Sequence, residues 1–374
     1  MRMGLPAATF RAIDRFAGAV IQPKGSALAI LGCVVFDLRP STDPDVPPMA
    51  LAANNGAVAR LSLTTAELPD HPGDTPTVFA VRREHLAKLA KLTEPGGKVW
   101  LDTSDAGLTI SMTASPGRRL GSWQVPIANA ADLASFPDEP EELAAGESWR
   151  WSAGYLADTL RLLAPVIEPG GTLQATGVAL AAATWSAAIT ADAGKVSSPR
   201  DAGTLVIPAS ADAMLRAVGG AEEVTIREGE RWLHVQAGNL TLHLAQLVEA
   251  VDNIEDAFFS ELLAGEDALT VDWQQLTTAV NRASALAEHV RLSYADGTLT
   301  VAAADGSSEH TLDAGIGSAE PPEPAVFAAA DLRNVLGSLE CLGMVLQLPV
   351  PGGIAYLANG ATVAAVVPLR NVDS

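Results

Sequence analysis

A chain of 374 residues, 48% of them apolar, is long enough to bury two or three hydrophobic cores, and its composition excludes a disordered polypeptide. Its formal net charge of −20 repels a polyanion at long range, so any nucleic-acid contact has to come from a locally positive surface. No apolar run approaches the roughly 20 residues of a membrane span, and Cys33 and Cys341, far apart, form neither a disulfide framework nor a CxxC pair.

Arg11, Asp14 and Arg15 interrupt any apolar core in "MRMGLPAATFRAIDRFAGAV", which excludes a secretory signal and, with two cysteines, leads us to expect a reducing cytoplasm. Phe10, Ile13, Ala17 and Val20 recur every three or four residues and predict a helix over 8–20. Strand-like "ALAILGCVVFDL" follows, then "TVFAVRREHLAKLAKL", a short β run with a helix over 82–92. The next segment, "GKVWLDTSDAGLTISMT", reads as a hairpin turning at Gly107. At "ADLASFPDEPEEL" (131–143) the alternation stops, turns at a proline and runs acidic. The same succession then starts again. Leu156, Leu160 and Leu163 predict a helix over 152–164, followed by "LQATGVALAA". A helix over 209–218 sits inside "TLVIPASADAMLRAVGG", and the hairpin "EEVTIREGERWLHVQAG" turns at Gly229. A third round places Leu276, Val280 and Ala283 on a helix over 272–286. It continues with "EHVRLSYADGTLTVAAADG", turning at Asp296-Gly297, a helix over 329–339 in "AVFAAADLRNVLGSL", and "MVLQLPVPGGIAYLANG" with Gly352-Gly353.

Val78, Val206 and Val326 head the second helix of each round, at steps of 128 and 120 residues. That period is too long for a solenoid unit and suits a small domain. The expected fold class is α+β: three repeated domains, each two helices packed on antiparallel sheets, over 1–143, 144–259 and 260–374.

These residues resemble the bacterial DNA polymerase III β sliding clamp family over essentially the whole chain. The pieces that carry the resemblance are "FPDEP", "TLVIPASADAMLRAV…EEVTIREGERWLHVQAGNLTLHLAQLVE", "LTTAVNRASALAEHVRLSYADGTLTVAA" and the closing "VAAVVPLR". The departures mark a remote member. Where the family carries Ala-Thr-Asp-Gly-His-Arg-Leu, this chain has "TADAGKV" (190–196), retaining only Asp192, and "VDNIED" stands in place of the usual Phe-Pro-Asp-Tyr.

The resemblance implies a non-enzymatic processivity factor. Two chains would join head to tail in a six-domain ring around double-stranded DNA, without sequence specificity, and tether a replicative polymerase. It also implies basic residues on the helices. The six predicted helices hold ten Lys/Arg against six Asp/Glu, a net +4, leaving −24 for the remainder. The implied phosphate contacts are Arg11, Arg15, Arg82, Arg83, Lys88, Lys91, Arg161, Arg216, Arg282 and Arg333. Read without the family, the same residues are the ordinary solvated face of soluble helices.

A hydrophobic pocket for a short peptide of the polymerase, the clamp loader or other clamp-binding proteins is the second implied surface. Position by position it takes Ala175, Ala191, Ala193, Gly194, Lys195 and Val196 from the second copy. From the third it takes Pro351, Gly353, Ala365, Val367, Pro368, Leu369 and Arg370. Phe258 and Phe259 are expected to fill part of it; the bland alternative is that 366–369 form a plain core strand. Ring closure is implied near Leu120 and Leu286, with Arg118 and Arg119 facing acidic residues such as Glu288.

Catalytic chemistry finds no footing. There is no P-loop, no nucleophile elbow and no spacing of the six histidines that suits a metal, so neither cofactor nor metal is expected. Two other classes stay open: an enzyme with a site between domains, and a self-assembling structural protein without a DNA role.

Overall fold

The computed structural model describes residues 2–21, 29–38, 47–54, 56–63, 78–104, 107–138, 140, 148–167, 171–175, 179–192, 195–197, 204–218, 220–246, 253–259, 269–316, 324–339, 343–347, 354–359 and 362–369. They pack into two compact units, Met1–Gly154 with Ala213–Gln246, and Tyr155–Asp212 with Leu247–Ser374. The fold is α+β with antiparallel sheets throughout.

In the first unit, helix Ala7–Val20 buries Phe10, Ile13, Phe16, Ala17 and Val20. That stripe lies on strands Met49–Asn54 and Ala57–Ser62 and beside helix Arg83–Ala90. Eight strands of the unit run side by side in one sheet: Ser148–Ser152, Glu223–Glu228, Trp232–Ala237, Leu240–Ala245, Ala57–Ser62, Met49–Asn54, Cys33–Asp37 and Val78–Arg82. Strict alternation fixes which face is apolar. Val224 and Ile226 are buried between half-exposed or exposed Glu223, Thr225 and Arg227, and buried Val235 lies across from Ile226. Phe36 and Phe79 stack in this core with ring centroids 5.2 Å apart. A second sheet orders Arg2–Pro6, Lys98–Ser104, Gly107–Thr113 and Arg119–Val125. Its hairpin turns at Gly107, whose φ of +116° suits glycine.

In the second unit, nine strands form one sheet, with Ala187–Asp192 paired to Thr362–Val366 at its centre. A four-stranded sheet orders Glu309–Asp313, Thr298–Ala303, His289–Ala295 and Ala325–Ala328. Asp296 (φ 48°) and Gly297 (φ 80°) make its tight turn, both left-handed as a two-residue hairpin requires. Helix Trp273–Ser284 is capped by the Asp272 carboxylate, which accepts from the Gln275 N–H at 2.8 Å. It is held to helix Ala329–Ser338 by the Trp273 indole N–H donating to the Leu336 carbonyl at 2.9 Å.

Helices stand at all six predicted places, with two differences in extent. The 209–218 segment splits into a tight turn, Ala209–Ala211, and a short helix, Asp212–Ala217, because the Ala211 N–H bonds back to the Pro208 carbonyl at 2.8 Å. The helix expected to stop at 164 runs to Ile167 through Pro165, since Leu163, Val166 and Ile167 are buried.

Candidate nucleic-acid interface and partner pocket

The basic side chains of the first unit's helices divide by what holds them. Arg11 donates to the Thr93 hydroxyl at 3.2 Å. Arg83 is 3.8 Å from the Asp14 carboxylate and crowds Gly18, where an added Cβ would lie 2.6 Å from its guanidinium nitrogen. Arg15, Lys88 and Lys91 are exposed on the solvated face of the helix pair. Arg82 is exposed too, but it ends a strand and lines a cavity of about 480 Å³ with Cys33, Glu84, His85 and Asp132. Burial pushes the Cys33 thiol up against the opposing pull of Arg82, which leaves it protonated and unreactive at neutral pH. Arg216 is half-buried on the short helix Asp212–Ala217.

The second unit offers fewer cations on its helices. Arg161 is exposed and bonded to Asp158 one turn before it. Arg282, in the last turn of its helix, shares a shallow cavity with Glu309 and His310, and Arg333 is exposed on helix Ala329–Ser338. Acids in first turns, Glu84 and Asp331, sit where the helix dipole favours them.

Six of the positions the family pocket implies are described with their side chains. Ala175, Ala191 and Ala365 are buried in the nine-stranded sheet, and Val367, Pro368 and Leu369 are half-buried just past strand Thr362–Val366. Ala175 pairs with Leu180 and Leu180 with Ala191, which sets the two alanines in one row two strands apart. The Val367 N–H donates to the Ser186 carbonyl at 2.8 Å and the Leu369 N–H to the Val326 carbonyl at 2.7 Å, so this tail is anchored in the unit. Lys195 and Val196 belong to strand Lys195–Ser197; Ala193, Gly194, Pro351, Gly353 and Arg370 lie outside the described residues.

Ala365 belongs to a cluster with Ala181, Ala183, Ala188, Ile254 and Tyr356, against which Phe258 and Phe259 pack from the turn Glu255–Phe259. Phe259 and Tyr356 have ring centroids 6.4 Å apart, and buried Gln174 accepts from the Ile254 N–H at 2.9 Å to fix that turn. Tyr356, Ile254 and Gln174 were not among the expected residues. Their part depends on strand register, which their sequence neighbours do not disclose.

Leu120 is half-buried on Arg119–Val125, an edge of its sheet. It is the extra residue of a bulge, because Met112 pairs with Gly121 and Thr113 with Arg119. Leu286 is 59% exposed just beyond helix Trp273–Ser284. Arg118 pairs with Glu94 of its own unit at 3.1 Å. In the second unit, Glu309–Asp313 is an edge of its four-stranded sheet and is acidic at both ends. Among the described residues no group of three or more His, Cys, Asp or Glu could hold a metal ion, and no helix is long and apolar enough to cross a membrane.

Comparison of the sequence with protein-family models and with curated proteins finds no match. Solved structures do match. The DNA polymerase III β subunit of Thermotoga maritima superimposes with a TM-score of 0.80 at 11% identity, covering 99% of this chain and 100% of that one. The sliding clamp of Bartonella birtlesii, solved with griselimycin bound, gives 0.77 at 18% identity, and the Caulobacter crescentus polymerase III β gives 0.77 at 16%, each at the same coverage. The chain therefore has the fold of these bacterial sliding clamps over 99% of its length.

Proposed function

We propose that a chain with this fold acts as a DNA sliding clamp: a head-to-tail homodimer, each chain supplying three domains, that encircles duplex DNA and tethers a replicative polymerase. The observation that carries it is how sheets join along the chain. Strand Leu240–Ala245, from the second sequence copy, pairs with Ala57–Ser62 of the first. Ala187–Asp192, also from the second copy, pairs with Thr362–Val366 of the third. Each junction between copies is an edge-to-edge strand pairing. The same rule, applied between two chains, brings the Arg119–Val125 edge with Leu120 to the Glu309–Asp313 edge near Leu286. Basic Arg119 then meets an edge with an acid at each end, Glu309 and Asp313, in the place expected for Glu288. Because the two edges differ, the contact is heterologous, and a rotation that closes after two chains makes a ring.

Arg15, Lys88 and Lys91 supply sequence-independent phosphate contacts, with Arg11, Arg82, Arg83, Arg161, Arg216, Arg282 and Arg333 as the wider basic set. Partner proteins dock at half-buried Val367 to Leu369 of the second unit, over the sheet that buries Ala175 and Ala191, with Phe258 and Phe259 packed on the neighbouring Ala365 cluster. Topology gives the test. Protein loaded on nicked circular DNA at low salt should stay bound at high salt and be released when the circle is linearised. Loss at high salt from both forms would reduce the contact to plain electrostatics and sink the ring.

A further inference from the structure

We propose that the cleft where the first sequence copy meets the second, inside the first unit, is a binding site for a small apolar carboxylate. A cavity of about 240 Å³ opens there. At roughly 30 Å³ for a water molecule in the liquid, that is room for about eight waters, or for a ligand body of about as many heavy atoms. Its floor is a cross-strand pair, Leu61 and Leu240, one residue from each copy, and Phe16 and Val218 complete the apolar wall; all four are buried. The space itself comes from short side chains. Ala12, Ala217, Ala221 and Ala237 line it with nothing beyond Cβ, and a Cβ added at Gly220 or Gly238 would meet no atom within 4 Å.

The walls are fixed by hydrogen bonds of the chain itself. The Ser62 N–H donates to the Asn239 carbonyl at 2.9 Å and the Asn239 side-chain amide donates to the Ser62 carbonyl at 2.9 Å, which ties the hairpin tip at Gly238 to strand Ala57–Ser62. On the other side the Val218 N–H donates to the Leu215 carbonyl at 3.3 Å and the Ala221 N–H to the Val218 carbonyl at 2.9 Å. Ala12, Arg15 and Phe16 stand three and four residues apart on helix Ala7–Val20, so they share the face that borders the cavity. Arg15 is exposed. Among the described residues it is the one charged side chain of the lining, and no hydrogen bond or ion pair engages it. Arg11 and Arg83 of the same helix pair are already held, by Thr93 and Asp14. An apolar body displaces water from the Leu, Phe and Val side chains, and a carboxylate at the mouth takes the paired N–H donors of the guanidinium. A neutral apolar ligand leaves Arg15 unused, and an inorganic anion leaves the apolar wall in water.

The test titrates the full chain against benzoate by ligand-observed NMR, beside neutral benzamide and inorganic phosphate. Saturable binding of benzoate is expected, weakened about fivefold by Arg15→Gln, the worth of one exposed ion pair. Ala217→Leu, which fills the cavity, should weaken it about tenfold. Both residues are exposed, so unchanged thermal melts would verify folding. Benzamide should bind the unaltered chain about as weakly as benzoate binds Arg15→Gln. No saturable binding, or binding indifferent to Ala217→Leu, would overturn the site. Benzamide binding as tightly as benzoate, or phosphate displacing benzoate at equal concentration, would overturn the ligand class. Arg15 also belongs to the duplex contacts proposed above, so an occupied cleft removes one of them; that consequence alone rests on the clamp reading. The titration contains no DNA and retention on circular DNA uses no benzoate, so either proposal can fail without the other.

Discussion

The two helix pairs share an architecture and differ in charge. In the first unit, Ala7–Val20 and Arg83–Ala90 carry Arg11, Arg15, Arg83 and Lys88 against Asp14 and Glu84, with Lys91 just beyond. In the second, Trp273–Ser284 and Ala329–Ser338 carry only Arg282 and Arg333 against Asp331. The core stripes are alike, Phe10-Ile13-Ala17 beside Leu276-Val280-Ala283, so packing does not account for the difference. The extra cations on the first pair point to a task carried mostly by that unit.

Removing them is the strongest way to break the comparison. Replacing Arg15, Lys88 and Lys91 together with Gln should lower affinity for linear duplex on the order of 100-fold at low salt, and flatten the salt slope by about three. Replacing Arg282 and Arg333 should cost on the order of tenfold. Fluorescence anisotropy across a salt series reads both; equal losses from the two sets would erase the asymmetry.

A second contrast is acid sensitivity. His243 has its pKa lowered from 6.5 to about 4, first by burial, then by His234 and Arg60, whereas the matching sheet of the second unit packs alanines such as Ala181, Ala188 and Ala365. The unfolded chain takes up a proton below pH 6.5 and the folded one only near pH 4, so stability falls through that window as pH drops. Between pH 7 and 5 the loss should be about 2 kcal/mol. Chemical denaturation of His243→Gln should lack this component; an identical pH slope in the variant would contradict it.

Smaller effects sharpen the helix comparison. Trp273→Phe removes the hydrogen bond to Leu336 and should cost about 1 kcal/mol, read as a shift in denaturation midpoint. Two helical glycines then separate the pairs. A Cβ at Gly337 meets nothing within 4 Å, so Gly337→Ala should stabilise by about 0.5–1 kcal/mol, while at Gly18 the gain is offset because Arg83 must move off Asp14. Equal gains at both sites would mean that the Arg83–Asp14 contact contributes nothing.

Local patterns carried the sequence reading far. Apolar spacing located the helices within a few residues, and Asp296-Gly297 disclosed its turn because both positions need left-handed backbone. What stayed hidden depends on register between distant strands. The histidines show no metal-like spacing along the chain, yet His234 and His243 are a cross-strand pair, and Arg60 joins them from almost two hundred residues away. Within one chain the hairpin that follows Glu94 brings its carboxylate to Arg118, a contact that local pattern does not disclose. Phe258 and Phe259 were expected at the pocket, and they pack against Ala365 and its neighbours; Ile254 and Tyr356 complete the cluster without any local signature.

Whether two chains close on each other decides the account most directly. Electron microscopy of the purified full-length protein should show closed six-lobed rings at twice the 38.6 kDa chain mass. Compact single chains, or open filaments grown from the same two edges, would contradict it.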